Sequence, residues 1–205
     1  LCHDARRLAD ELGVEFVSVM QNDVPGYPWA YPQILRKSGV RYFLAGINTL
    51  FGGGLSLAPD QNPFHWEGVD GSRVLTFVQD GYCHFIHKWK YFQKFIEGAE
   101  IDAIAADFQL YVDHLAHSSY PYSVIALIAN PCDNKGPLDN SPMLRRMREW
   151  NASGRTPRFV ASTPRLYFED LIHRHGDDFP VFRGDWNPPG AWTGVKTLGP
   201  VGTVA

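Results

Sequence analysis

The chain has 205 residues, 44% hydrophobic and 20% charged, with a formal net charge of −3 at pH 7. That is globular composition with enough apolar material for a substantial core. Its longest basic cluster, Leu144-Arg145-Arg146-Met147-Arg148, gives nucleic-acid binding little support. No apolar stretch is long enough to cross a membrane. Three widely spaced cysteines, Cys2, Cys83 and Cys132, point to neither a disulfide framework nor a thiolate metal site.

Ala5, Leu8, Ala9 and Leu12 recur at helical spacing in the first dozen residues. A chain that starts at Leu1, already inside a helix, is expected to be a piece of something longer. Val14–Met20 has strand length and is rich in β-branched and aromatic residues. Gln21-Asn22-Asp23-Val24-Pro25-Gly26-Tyr27-Pro28-Trp29 follows, so Asp23 is placed where a strand gives way to a βα loop. Carboxyl ends of strands collect ligands and catalytic groups in α/β folds. Asp before Pro-Gly is also an ordinary turn residue, and both readings stand on the residues alone. Tyr31–Gly39 reads as a short helix stopped by glycine, and Val40–Ile47 as a second strand, which together make a βαβ unit and favour a parallel sheet.

Asn48–Asn62 is a loop holding Gly52-Gly53-Gly54, with no Gly-Lys-Ser/Thr to make it a phosphate loop. Asp70-Gly71 between two strand-like runs predicts a hairpin. Gln79–His87 carries Asp80, Tyr82, His84 and His87 directly after a strand, a second place for chemistry or a plain solvated loop. Helices are expected over Lys88–Gly98 and Ile101–His117, the latter with an apolar stripe through Ile104, Phe108 and Tyr111. Ser123–Ala129, the most apolar segment, is expected to be a central strand ending in Asn130-Pro131-Cys132-Asp133-Asn134. Ser141-Pro142 and Thr163-Pro164 open two capped helices. Short strands are expected at Pro157–Ala161 and Pro180–Arg183, the last leading to Asp185 and Trp186. From Asn187 to Ala205 the chain loses all period and reads as an irregular tail. The pattern is α/β, with five or six core strands and no interior domain boundary. Aspartates recur where strands end (Asp23, Asp80, Asp133 and Asp185), as on an acidic rim shared by the loops of one mouth.

Several segments, in order, resemble the N-terminal catalytic domain of glycoside hydrolase family 38, the α-mannosidases, and especially its bacterial members. They are Asp23-x-x-Gly26, then Pro32-Gln33-Ile34-Leu35-x-x-Ser38-Gly39-Val40, then Phe64-x-Trp66-Glu67-Gly68-x-Asp70-Gly71-Ser72. Arg148-Glu149-Trp150-Asn151, Ser162-Thr163-Pro164-x-x-Tyr167-Phe168 and Phe182-Arg183-Gly184-Asp185-Trp186 complete the series. The resemblance implies that residues 1–186 form part of a seven-stranded β/α barrel with mostly parallel strands, incomplete in this chain. It implies retaining hydrolysis of α-mannosides with a bound zinc ion, one carboxylate attacking the anomeric carbon and a second acid protonating the leaving oxygen. The family's nucleophile, also a zinc ligand, falls on Asp23; Asp80 is the candidate acid. Trp29, Tyr82, Asp133, Asn134, Asp185 and Trp186 are candidate contacts to a carbohydrate substrate, with the aromatic ones equally at home in packing. The family's other zinc ligands, a His-x-Asp pair on an earlier strand and a histidine from a later domain, have no counterpart in this sequence. The chain by itself is therefore expected to be inactive, and its truncated sheet to expose an edge open to self-association. Two other readings are a non-catalytic carbohydrate-binding relative and a metal-dependent polysaccharide deacetylase. The second needs paired histidines near a strand end, and the pairs available are His84 with His87 and His114 with His117.

Overall fold

The structure, a computed structural model, describes residues 2–24, 27–47, 62–79, 89–128 and 141–186. Among these, six helices and five strands are formed, and the chain divides into two compact units. The first unit comprises Leu1–Tyr82, Tyr122–Ala126 and Thr163–Ala205. It holds α1 (Cys2–Leu12), β1 (Ser18–Val24), α2 (Tyr31–Lys37), β2 (Tyr42–Ile47), β3 (Phe64–Glu67), β4 (Arg73–Gln79), α6 (Pro164–His175) and β5 (Val181–Arg183). The second comprises Cys83–Pro121 and Leu127–Ser162, with α3 (Trp89–Glu97), α4 (Ile101–His117) and α5 (Ser141–Ala152).

The five strands make one sheet in the order β1-β2-β4-β3-β5. β1, β2 and β4 are mutually parallel, β3 is antiparallel to β4, and β5 is parallel to β3. The expected βαβ unit and Asp-Gly hairpin are both present. α2 forms the crossover, with Pro32 in its first turn and Leu35 fully buried. It stops at Gly39, whose φ of +88° is a conformation that side chains other than glycine rarely adopt. In the hairpin turn, Asp70 Oδ1 accepts the Ser72 N–H at 3.0 Å, the local bond that favours Asp in turns.

Side chains alternate across the strands, so each face has its own cover. One face carries Phe43, Phe64, Trp66 and Val74 and packs with Leu35 of α2. The other carries Tyr42 and Phe77, which meet α6 through Phe168 (centroids 5.2 Å apart) and Tyr167 (5.4 Å). α6 begins as expected, its Thr163 cap accepting the Leu166 N–H.

Three expectations are corrected. β1 lies four residues later than the apolar run implies. Val14 N–H closes back on Ala9 O at the exit of α1, and pairing starts only where Val17 O meets Arg41 and Tyr42. Gln21, Asn22 and Asp23 are consequently strand residues, not loop residues. The segment 123–128 is not a strand. At that end of β4, Asn62 bonds both the N–H and the C=O of Val78, doing the work of a neighbouring strand, and the Gln79 amide reaches Ala126 O at 2.8 Å. The segment 157–161 is not a strand either. Asn151 bonds both backbone groups of Phe159, and Trp150 Nε1 bonds Pro157 O at 2.7 Å. Side chains of α5 thus supply the partners a ladder would.

In the second unit, α3, α4 and α5 enclose an aromatic core. Phe108 meets Phe159 (4.7 Å) and Trp150 (5.6 Å), and Phe92 meets Tyr111 (5.0 Å). The triple-glycine loop, the residues after Gln79, the cluster 130–134 and the tail from 187 lie outside the described residues.

Candidate active site

Asp23 stands at the carboxyl end of β1. Pairing with β2 runs evenly from Ser18 with Tyr42 to Asn22 with Gly46, then resumes at Val24 with Ile47. Asp23 is the extra residue of a β-bulge, with φ of +59° and an exposed side chain. A left-handed residue other than glycine costs roughly 1–2 kcal/mol, and Asp is among the few types that accept it. A bulge of this kind re-aims a side chain at the end of a strand.

The neighbours of Asp23 are polar. Gln21 Oε1 accepts the Tyr31 hydroxyl at 2.7 Å. Burial pushes the Tyr31 phenol up to about 12, with a smaller contribution from Cys2, so it remains a donor. On the opposite face, Asn22 and Gln79 stand on either side of Gly46 in one row across β1, β2 and β4. Asn22 Oδ1 is buried with no hydrogen-bond partner among the described residues. Sequence reading did not single out Asn22, Gln21 or Tyr31; the amides adjoining Asp23 were the available signal.

Trp29, Asp185 and Trp186 come together, but away from Asp23. β5 runs against β1, β2 and β4, so its end at Arg183 is level with Glu67 and with Arg73 at the start of β4. Asp23 is level with the end of β4. The two aspartates therefore do not share one rim. Asp185 Oδ1 accepts the Trp29 N–H at 2.6 Å, and Trp29 Nε1 donates to Glu67 O at 2.8 Å. Glu67 also accepts from Arg183 (2.5 Å) and Arg73 (2.6 Å), and these two bonds, Arg183 first, hold its carboxyl below the usual range.

Trp186 is 1% exposed and stacks on Trp66 with centroids 4.3 Å apart. It exchanges both backbone hydrogen bonds with Tyr27 at 2.9 and 3.0 Å. Tyr27 in turn meets Phe43 edge-on at 5.2 Å. The geometry gives Trp186 a place in the core, the packing alternative already open for it. Tyr27, missed in the sequence, is its counterpart. Burial raises the Tyr27 phenol far above its ordinary value, with Tyr31 adding to the effect.

Asp80, Tyr82, Asp133, Asn134 and the pair His84 and His87 fall outside the described residues. His114 and His117 lie on α4 in the second unit, His114 against the Tyr91 ring and His117 Nδ1 donating to Asp113 O at 2.6 Å. Among the described residues, no group of three or more His, Cys, Asp or Glu could share a metal ion.

Among solved structures, the chain is similar to an α-mannosidase from Enterococcus faecalis V583, with a TM-score of 0.59 and 14% identity. The match covers 89% of this chain and 19% of that one, so the chain spans about a fifth of the neighbour's length. At that identity the likeness is one of fold. No curated protein matches the chain. Residues 1–185 match the family model for the glycosyl hydrolases family 38 N-terminal domain, and with the match running over nine-tenths of its length the chain belongs to that family.

Proposed function

We propose that this domain serves a retaining glycosidase acting on α-mannosides. Asp23 is the carboxylate that attacks the anomeric carbon, and Asp80 the acid that protonates the leaving oxygen. One observation carries the reading. An exposed aspartate occupies a left-handed bulge at the carboxyl end of a parallel strand, where catalytic groups collect in α/β folds. Family membership and the α-mannosidase-like fold support the substrate class. Substrate contacts are proposed for Tyr82, which follows β4 in sequence, with Asp133 and Asn134 as further candidates.

The sheet is proposed as part of a seven-stranded barrel. Family membership supports this, and the strands formed among the described residues are mostly parallel, as such a barrel requires. Zinc is the metal the family resemblance implies, and a catalytic zinc takes about three protein ligands. The described residues do not supply them, so they do not fit a zinc site on their own. Asp23 is the one ligand proposed, and no step is derived through the ion.

Zinc titration by calorimetry on the chain and on Asp23→Ala tests the ligand role. If the chain binds zinc, the expected result is an affinity at least about tenfold weaker in the variant. Equal binding by the two proteins removes Asp23 from the ligand set, and binding by neither shows that the ligands must come from beyond this chain. Incubation of an active protein that contains this domain with a 2-fluoro-mannosyl fluoride tests the nucleophile separately. A mannosyl adduct on Asp23 by peptide mass spectrometry is expected, and an adduct on another residue overturns the assignment.

A further inference from the structure

The β1 bulge changes which residues share a face of the sheet. Successive strand residues alternate between the two faces. Val19 packs against the core that holds Phe43 and Trp66, and Gln21 takes the same face through the Tyr31 hydroxyl. Alternation would put Asp23 there next. Val24 packs there instead, paired with Ile47. Asn22 and Asp23 therefore fill between them the one place that alternation leaves for the opposite face. The bulge sets an amide beside the candidate nucleophile, at the carboxyl end of the strand.

That amide has no structural occupation. Asn22 as a residue is only part-buried, yet its Oδ1 is closed off and has no hydrogen-bond partner among the described residues. Its neighbour in the row is Gly46, which brings no side chain to meet it. Gln79, one strand further, donates its own amide to Ala126 O at 2.8 Å. Folded proteins pair nearly all their buried acceptors, and an exception calls for an explanation, a donor from outside the chain being one. Asparagine is also a residue that strands disfavour. Asn22 lies inside β1, where its usual work in turns and caps does not arise.

We propose that Asn22 is a specificity-determining residue, its amide hydrogen-bonding one ring hydroxyl of the α-mannoside whose anomeric carbon Asp23 attacks. The inference rests on the reading of Asp23 as nucleophile. A pyranose carries a hydroxyl on the carbon next to the anomeric one, so a group adjoining the nucleophile lies within reach of ring hydroxyls. A hydroxyl both donates and accepts, and an asparagine offers an acceptor and a donor on one rotor. No bond among the described residues fixes the Asn22 amide. A half-turn about χ2 therefore brings Oδ1 to the side that Nδ2 occupies. Asp23 acts on carbon; Asn22 distinguishes sugars by where one hydroxyl stands.

Kinetics of an active protein that contains this domain test this, on an aryl α-mannoside and the series of its monodeoxy analogues. Asn22→Ala is expected to lower kcat/KM on the mannoside by about tenfold or more. For one analogue the substitution should make no further difference, because the hydroxyl that Asn22 holds is already missing. Asn22→Ser, which keeps an acceptor, should recover part of the loss. An equal loss on every analogue, or no loss on the mannoside, overturns the role of Asn22. The chain itself gives a second measurement. Removing an unpaired acceptor should leave the urea midpoint of Asn22→Ala no lower than that of the parent. A lower midpoint makes the amide a structural one and overturns the proposal. Failure of the underlying reading looks different. A rate that survives Asp23→Ala, or cleavage of other glycosides but not of α-mannosides, sinks that reading and the proposal with it, whereas the Asn22 outcomes sink the proposal alone.

Discussion

At Asp23 the backbone and the side chain make separable demands. The left-handed φ is a property of the bulge, and it discriminates among side chains independently of any chemistry. Glycine meets it at no steric cost and asparagine nearly so, whereas alanine carries the full penalty. Asp23→Gly is therefore expected to be more stable than Asp23→Ala by about 1 kcal/mol, with Asp23→Asn close to the parent, as read from urea midpoints. If alanine and glycine prove equal, the bulge relaxes easily and holds no strain. The sequence marked this residue through its place before Pro-Gly. It could not mark the bulge, because a register shift belongs to two strands together and β2 shows no sign of it.

At the scale of elements, Glu67 ties the end of β3 to both neighbours, through Arg73 on β4 and Arg183 on β5. Its carboxyl is held below the ordinary range in the folded protein, by the Arg183 bond first and the Arg73 bond second. A carboxylate with a folded pKa below its unfolded one stabilises the fold above the unfolded value. That contribution is lost as pH falls through the folded value. Stability at neutral pH should thus exceed stability below the carboxylate range by more in the parent than in Glu67→Gln, measured as the change in urea midpoint between the two conditions. The elements themselves were legible where a local rule sufficed. The Asp-Gly turn gave the hairpin, the Thr163-Pro164 cap gave α6, and the period of Ile104, Phe108 and Tyr111 gave α4. Two strands were over-read, at 123–129 and 157–161, because apolar composition says that a segment is covered, not that a ladder covers it. Asn62, Asn151 and Trp150 supply backbone partners from side chains, and nothing in their own sequence neighbourhood announces this.

For the first unit as a whole, Trp186 is the closing piece. It contacts Tyr27, Phe43, Phe64 and Trp66, drawn from α2's approach and from two strands. Trp186→Ala should cost roughly 3–5 kcal/mol, as read from urea unfolding. A loss below about 1 kcal/mol would show the core closing without it. The pairing of Tyr27 with Trp186 spans nearly the whole described chain, and loops of that length close slowly. The aromatic face that carries Phe43 and Trp66 therefore keeps one side uncovered until residues far apart in the chain have met, and the core of this unit is completed by a late, long-range contact.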